Sequence, residues 1–196
     1  MATTYAAAER EPRVPGSRAA PDLDWSLIDA RVLSIFADRD LLSRVRRLQK
    51  VELASVWDLT ERALEKRRGE RFRALAPLDV HRRVLEGLAG ESLLIASSMF
   101  LDSLSEAEEF FELSFKTIKS KLGKSLDVAA GERAMRAARV TTAAAEVLGS
   151  FDAARKYLHT KNFALGGATP AELLKTGEGE RLVLNALQAQ AEGGPI

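Results

Sequence analysis

Residues 163–190 read FALGGATPAELLKTGEGERLVLNALQAQ, and the turn and cap signals in this stretch decide the fold of the C-terminal region. Thr169 can cap a helix, Pro170 suits the first helical position, and Glu172 completes a capping box three residues after the threonine. Thr176 is a second predicted cap, ahead of a longer apolar pattern. The stretch therefore predicts a tight turn, a short helix and a long helix, in that order.

Two glycines, Gly166 and Gly167, precede the first of these caps, and glycines before a helix can bind an anion through their backbone N–H groups. The pair follows no predicted strand, however, and no Lys-Ser or Lys-Thr step closes the loop as in a nucleotide-binding motif. We therefore expect the glycines to form the turn that leads into the capped helices. Because the stretch has no nucleophile, metal cluster or general base, its pattern favours docking over catalysis.

The composition limits the classes to which the protein can belong. Its 196 residues allow one or two small domains, and a hydrophobic content of 46% suffices for a packed core. The sequence has no cysteine, which excludes disulfides and thiol chemistry. His81 and His159 are far apart in sequence, so we expect surface histidines and no metal site. Since neither paired carboxylates nor a Ser-His-Asp set is present, we predict no catalytic residues, no cofactor and no enzyme activity.

From residue 23 onward the chain is predicted to be helical nearly throughout, because Leu, Ala, Arg and Glu dominate and apolar residues recur at spacings of three and four. The pattern indicates an all-α fold. Two apolar stripes are interpreted as core positions: Trp25, Ile28, Val32, Ile35 and Phe36, then Val51, Leu53, Val56, Trp57 and Leu64.

Residues 1–22 contain alanines, prolines and scattered charges without apolar periodicity, which predicts a disordered tail. Glu9, Glu11 and Asp22 argue against a transit peptide, and no apolar segment suits a secretion signal. No stretch approaches the roughly 18 apolar residues that a membrane span needs. We expect a cytoplasmic protein without membrane association.

A helix-turn-helix is predicted between residues 91 and 149. One helix begins with a predicted capping box of Ser105 and Glu108, and the next begins at Ser114 and ends at Gly123, with almost no linker between them. One face of the second helix is apolar. The opposite face carries residues that could contact phosphates and bases: Lys116, Thr117, Lys119, Ser120 and Lys124. An ordinary amphipathic helix with a lysine face fits the same spacing equally well.

Acidic residues in the same segment oppose DNA binding. The chain has a net charge of only +1, so any DNA contact must come from a local patch. Residues 91–149 contain 7 Lys and Arg against 9 Asp and Glu. Four of the acidic residues crowd the helix that would cross the phosphate backbone, where they would weaken binding: Glu106, Glu108, Glu109 and Glu112.

Residues 136–187 resemble the C-terminal toxin-binding domain of the Xre/MbcA/ParS antitoxins. Tyr157 stands where the family usually has Trp, and Lys161 replaces a common Pro. Residues 87–140 resemble the family's Xre-like helix-turn-helix, with Ser114, Thr117, Arg133 and Arg136 in familiar places. The positions that carry the C-terminal match are Ala143 to Leu148, Asn162, Leu165, Gly166, Gly167, Thr169, Pro170, Leu173, Leu174, Thr176, Gly179, Val183 and Leu187.

The resemblance implies a domain organisation for the all-α chain. A helical N-terminal region at 23–86 would follow the disordered tail at 1–22, with an Xre-like helix-turn-helix domain at 87–149 and a small helical toxin-binding domain at 150–196. The first 80 residues match nothing that we can name. Their helices are expected to contribute to a dimer interface.

The resemblance also implies a function: an antitoxin of a type II toxin-antitoxin pair that inhibits a cognate RES-domain toxin by occluding its NAD pocket. Such toxins consume NAD by phosphorolysis, by hydrolysis or by ADP-ribosyl transfer. Operator DNA would be a second partner, in autoregulation, and the chain would be a homodimer or a hetero-oligomer with the toxin. The alternative is a stand-alone helix-turn-helix transcriptional regulator. The implied toxin-binding residues are Tyr157, Asn162, Leu165, Gly166, Gly167, Thr169, Pro170, Glu192, Gly193, Gly194, Pro195 and Ile196.

Overall fold

A computed structural model describes residues 25–48 and 77–193, and these residues form an all-α fold, as the sequence predicts. They contain ten α-helices and no β-strand, with one isolated bridge between Ala89 and Ser125. The second apolar stripe and the tail at 1–22 lie outside the described residues. In chain order the helices are α1 Trp25–Phe36, α2 Arg39–Leu48, α3 Pro77–Glu86, α4 Ser92–Phe100, α5 Leu104–Phe111, α6 Phe115–Lys121, α7 Val128–Leu148, α8 Phe151–Leu158, α9 Pro170–Leu173 and α10 Gly177–Ala191.

Helix α7 organises the core. It packs against α4 and α8, and α10 lies against it as well. Its buried face is rich in alanine, which allows neighbouring helices to approach closely. Thr141 and Thr142 are also buried there, and their hydroxyls donate to Ala137 O and Ala138 O at 2.7 and 2.8 Å. The buried apolar residues from α1 to α10 form one hydrophobic cluster.

Helix α4 is apolar on every side and all nine of its residues are buried. Its sequence SLLIASSMF explains this position, since a helix without a polar face needs neighbours all around it. Helix α1 packs on one side of α4 and α7 on another. In the first apolar stripe Ile28, Val32, Ile35 and Phe36 are buried, as predicted.

The predicted capping box of Ser105 and Glu108 is wrong, because α5 begins two residues before the predicted start. Ser103 is the N-cap residue, and its hydroxyl accepts a hydrogen bond from Glu106 N at 3.2 Å. Ser105 lies inside the helix and is exposed. Three other caps are confirmed: Ser114, Thr169 and Thr176 each accept a hydrogen bond from a backbone N–H of the following turn.

The N-terminal helices contact the middle of the chain through charged and aromatic side chains. Arg31 donates to the carbonyl of Leu101 and forms an ion pair with Asp102 at 2.9 Å. Asp38, between α1 and α2, accepts hydrogen bonds from Asp40 N at 3.0 Å and from Lys119 Nζ at 2.7 Å. These contacts attach α1 and α2 to α4 and α6.

The Asp38 contact predicts a pH dependence of stability. The hydrogen bond from Lys119, followed by that from Asp40 N, lowers the pKa of Asp38 below its ordinary value of 3.8. A carboxyl whose pKa is lowered on folding stabilises the protein above the unfolded pKa and loses this contribution as pH falls through the folded pKa. We therefore expect Asp38→Asn, which can still cap α2, to melt below wild type at about pH 6, with the gap closing toward about pH 2.5.

Thermal melts of wild type, Asp38→Asn, Lys119→Met and the double variant check this expectation. The two single variants should show the same loss, and the double variant should add little to either. A gap between wild type and Asp38→Asn that is constant with pH would contradict the role of the ion pair.

Candidate functional site

The loop between α8 and α9 is closed by its own backbone. Asn162 N donates to Ala168 O at 3.1 Å, and Asn162 O accepts from Leu165 N and Gly167 N at 3.1 and 2.9 Å. The Asn162 side chain accepts from Ala164 N at 2.8 Å. Because Asn162 is itself buried, it organises the loop from inside.

Gly166 and Gly167 form the turn, as the sequence predicts. Their φ angles are +69° and +82°, in the left-handed region that favours glycine, and both residues are exposed. Gly166 N donates to Phe163 O at 3.0 Å and Gly167 N donates to Asn162 O. Both N–H groups are therefore used inside the loop, which explains physically why this glycine pair is not an anion cradle.

Tyr157 and Leu165 connect the loop to the core. Both are partly buried against the hydrophobic cluster. Burial raises the pKa of Tyr157, and the neighbouring Asn162 side chain acts in the opposite direction. The Tyr157 hydroxyl is buried, and no described group completes a hydrogen bond to it with good geometry.

The two predicted caps fix the helices that follow the loop. Thr169 and Glu172 form a complete capping box at α9, where Thr169 N donates to Glu172 Oε2 at 2.8 Å, and Pro170 is buried. The hydrogen bonds with Thr169 lower the pKa of Glu172. Gly179, in the first turn of α10, lies so close to α9 that a Cβ atom would be 1.9 Å from Leu173 O.

Glu180 on α10 and two arginines on α7, Arg136 and Arg139, have roles that the sequence patterns do not reveal. Glu180 is buried and accepts hydrogen bonds from Arg139 Nε at 2.7 Å and Nη2 at 3.0 Å, which joins α10 to α7. Arg136 donates from Nη1 to Leu174 O at 3.0 Å. The spacing of Arg136 and Arg139 could have predicted that they share a helix face, because residues three apart are neighbours on a helix.

Phe163 is the other residue that the sequence patterns do not single out. It lies in the 3₁₀ turn Phe163–Leu165 and is 94% exposed. The adjacent turn residue Leu165 packs inward. Its position in the sequence, between Asn162 and the glycine pair, could have indicated exposure, because such a short loop cannot bury every apolar side chain.

The end of the chain leaves the core at the last turn of α10. Val183 and Leu187 are buried, whereas Glu192 and Gly193 are exposed. Gly193 has a φ angle of +89°, so the chain turns there. The other predicted tail residues, Gly194, Pro195 and Ile196, lie outside the described residues.

The predicted DNA-contacting residues lie on α6 and just after it. Lys116, Ser120 and Lys124 are exposed, and Thr117 is partly buried, with its hydroxyl 2.9 Å from Ser114 Oγ. Lys119 forms the ion pair with Asp38 and lies 5.5 Å from the centre of the Phe115 ring. Phe115 in turn stacks on Phe36 at 5.8 Å, so α1 contacts part of the α6 surface.

The three glutamates of α5 and Glu112, which caps its C-terminal end, have structural partners. Glu108 Oε1 accepts from Phe115 N at 2.6 Å and so caps α6, while Glu106 Oε2 accepts from Asp102 N at 2.6 Å. Glu109 pairs with Lys175 at 2.7 Å and Glu112 with Arg133 at 2.6 Å. These glutamates therefore position neighbouring elements, and two of their charges are offset by ion pairs.

The groups best placed to hold a metal ion among the described residues are Asp102, Glu106 and His159, whose candidate ligand atoms lie within 4.8 Å of one another. His159 Nε2 is already 2.9 Å from Phe100 O, and Asp102 pairs with Arg31 and Arg155. Two guanidinium groups repel a cation, so the arrangement is an ion-pair network. His159 is partly buried, which corrects the expectation of a surface histidine, whereas His81 is exposed.

The C-terminal helices match a known class of protein module, the toxin-binding domain of antitoxins. The family described as the antitoxin Xre/MbcA/ParS C-terminal toxin-binding domain matches residues 143–193. A curated protein named Antitoxin Xre, from Pseudomonas putida, is 27% identical over 117 residues, which cover 59% of this chain and 72% of that protein. The resemblance that the sequence predicts is confirmed for the C-terminal region, which matches the toxin-binding domain of the Xre/MbcA/ParS antitoxins.

The match covers the end of α7, all of α8, the closed loop, α9 and α10. The individual contact residues predicted for the toxin and for DNA stay predictions. No helix among the described residues combines the length and apolar character that a membrane span requires.

The positive φ of Gly167 predicts a position-specific effect on stability. Gly167→Val would place a β-branched residue in the left-handed region, at a cost of about 1 to 3 kcal/mol. Gly167→Asn is the matched control, because Asn tolerates this conformation and no described atom lies within 4 Å of the added Cβ. We expect circular dichroism melts to show a clear loss for Val and a small one for Asn. Equal melting of Val, Asn and wild type would show that the turn does not need a glycine.

The exposure of α6 predicts which lysines contribute to DNA binding. Lys116→Ala combined with Lys124→Ala should weaken binding to the protein's own promoter and reduce the salt slope by about one unit for each lost phosphate contact. Lys156→Ala, an exposed lysine on α8, is the control and should leave the slope unchanged. Fluorescence anisotropy over a salt series measures both. Wild type that binds no promoter DNA at low salt would end the DNA hypothesis.

Proposed function

We propose that this chain is an antitoxin that binds and inhibits a cognate RES-domain toxin that consumes NAD, and that it does so by occluding the toxin's NAD pocket. The observation that carries the proposal is the coincidence of the toxin-binding family match at 143–193 with a loop that holds its shape through its own hydrogen bonds. The RES identity of the toxin follows from the resemblance of residues 136–187 to antitoxins with such partners. Both proteins would act in the cytoplasm.

Binding would use the surface formed by the loop at 162–168 and the helices on either side of it. A preformed surface loses little conformational entropy when it binds, so more of the contact energy appears as affinity. Gly166 and Gly167 present a flat edge, because they have no side chains and both are exposed. Asn162, Leu165, Thr169 and Pro170 would support this edge from below rather than contact the toxin through large exposed surfaces.

Occlusion would come from the residues after α10. Glu192 and Gly193 are exposed beyond the last buried residue, Leu187, and glycine allows the backbone to follow a narrow cleft. The helices would supply most of the affinity and the tail at 192–196 most of the inhibition. The chain itself would perform no chemistry and would need no cofactor.

Operator binding by α6 is a second proposed activity, and it would allow autoregulation. Exposed Lys116, Ser120 and Lys124 favour it, as do the ion pairs that offset Glu109 and Glu112. The contact between Lys119 and Asp38 opposes it, because a paired lysine offers less charge to a phosphate. Toxin inhibition does not depend on this activity.

A tail deletion tests occlusion separately from binding. Wild type should inhibit NAD consumption by the RES-domain toxin encoded beside its gene, and the two proteins should co-purify. Deletion of residues 192–196 should leave the melting temperature and the complex nearly unchanged, because Glu192 and Gly193 are exposed, but inhibition should fall. A variant in which residues 192–196 are replaced by Gly and Ser is the control, because it keeps the length of the tail and removes its sequence.

An NAD-consumption assay and a pull-down give the two readings. Full inhibition by the deleted chain would show that the helices alone occlude the pocket. A toxin that stays active and unbound in excess wild type would refute the proposed function.

A further inference from the structure

We propose that Phe163 is an anchor of the toxin interface and inserts into an apolar pocket on the toxin. The inference rests on the proposed function, since it assumes that the C-terminal domain binds a toxin. It adds a residue that none of the toxin-binding predictions from the sequence includes.

The exposure of Phe163 is the first observation. Among the described residues, the large apolar side chains that face solvent are Leu33, Leu78, Leu85, Val128, Phe163 and Leu182, with exposed fractions from 37% to 94%. Phe163 is the most exposed of them, and the next, Leu78, is 56% exposed. Only Phe163 and Leu182 of this set lie within residues 143–193. Because the ring makes so little contact with its own protein, its apolar surface is removed from water only when a partner covers it.

The rigidity of the loop is the second observation. Phe163 O accepts from Gly166 N at 3.0 Å, and the residue before it, Asn162, makes four hydrogen bonds within the loop. Leu165 on one side is packed against the core. The backbone that carries the phenyl ring is therefore held in place before any partner arrives, which is the condition under which a single aromatic side chain makes a strong contact.

The third observation is that the backbone N–H groups of the loop are already hydrogen-bonded. The N–H groups of Ala164, Leu165, Gly166, Gly167 and Ala168 all donate within the loop. A partner that contacts the loop can then gain little from its backbone donors. Apart from the backbone carbonyls, the loop can contribute to the contact only through side chains and shape, and Phe163 is the large exposed side chain that it offers.

These observations specify the partner surface. The pocket on the toxin should be apolar and wide enough for one phenyl ring, and the glycine edge at 166–167 should allow the toxin backbone to lie close beside it. A second copy of this chain is the competing occupant. It is disfavoured because the family match assigns this segment to toxin binding.

Affinity measurements with single variants test the inference. Phe163→Ala in the full chain should raise the Kd for the RES-domain toxin encoded beside its gene about ten- to a hundredfold, as expected for an interface anchor. Phe163→Leu should recover part of the loss, because it restores apolar volume. Leu85→Ala is the matched control, since Leu85 is 54% exposed on α3, outside the toxin-binding domain, and its Kd should stay within about twofold of wild type.

Three outcomes would overturn the inference. Wild type that forms no complex would refute the proposed function and this inference together. Wild type that binds while Phe163→Ala binds equally well would refute the anchor role alone. A change in the sedimentation of Phe163→Ala without toxin would assign the ring to contacts between copies of this chain. Circular dichroism melts should be unchanged by Phe163→Ala, because the ring contributes almost nothing to the core.

Discussion

The ion pair between the buried carboxylate of Glu180 and the partly exposed guanidinium of Arg139 holds α10 against α7. Both carboxylate oxygens are engaged by the Arg139 guanidinium at 2.7 and 3.0 Å, and Arg136 Nε lies 3.7 Å from the same group. Arg136 also donates to Leu174 O, so two arginines on α7 position both the end of α9 and the start of α10. Because the Glu180 carboxylate is buried, its removal from water offsets much of the attraction, so the pair contributes more to a unique arrangement than to net stability.

The loop at 162–168, which we propose contacts the toxin, lies next to these helices. Gly179 allows α9 and α10 to meet at a backbone contact that a side chain would prevent, and the capping box of Thr169 and Glu172 starts α9 directly after the loop. The loop is then closed on itself through Asn162. The backbone N–H groups of residues 164–168 serve the loop's own shape, and the exposed glycine edge and the phenyl ring of Phe163 are accessible to a partner.

In the middle of the chain, groups with structural roles lie within a few residues of the groups proposed to contact DNA. Glu108 caps α6, Glu112 pairs with Arg133, and Asp38 pairs with Lys119 on the surface that would face DNA. The acidic character of α5 is therefore explained by helix positioning, and it is not by itself a signal against DNA. Attachment of α1 and α2 to α6 places the N-terminal helices beside the proposed operator surface, where they would influence how α6 is presented.

Local chemistry in the sequence was sufficient for the all-α class, for the caps at Ser114, Thr169 and Thr176, and for the glycine turn, because each depends on residues within one helical turn of one another. Ser103 and Ser105 each stand three residues before a glutamate, so the local pattern allows two starts for α5, and the structure uses Ser103. Such local patterns could not predict that Glu180 and Asn162 are buried and that Phe163 is exposed. The burial of a side chain depends on contacts with helices that are distant in sequence, and only their packing around α7 decides which side chains face solvent.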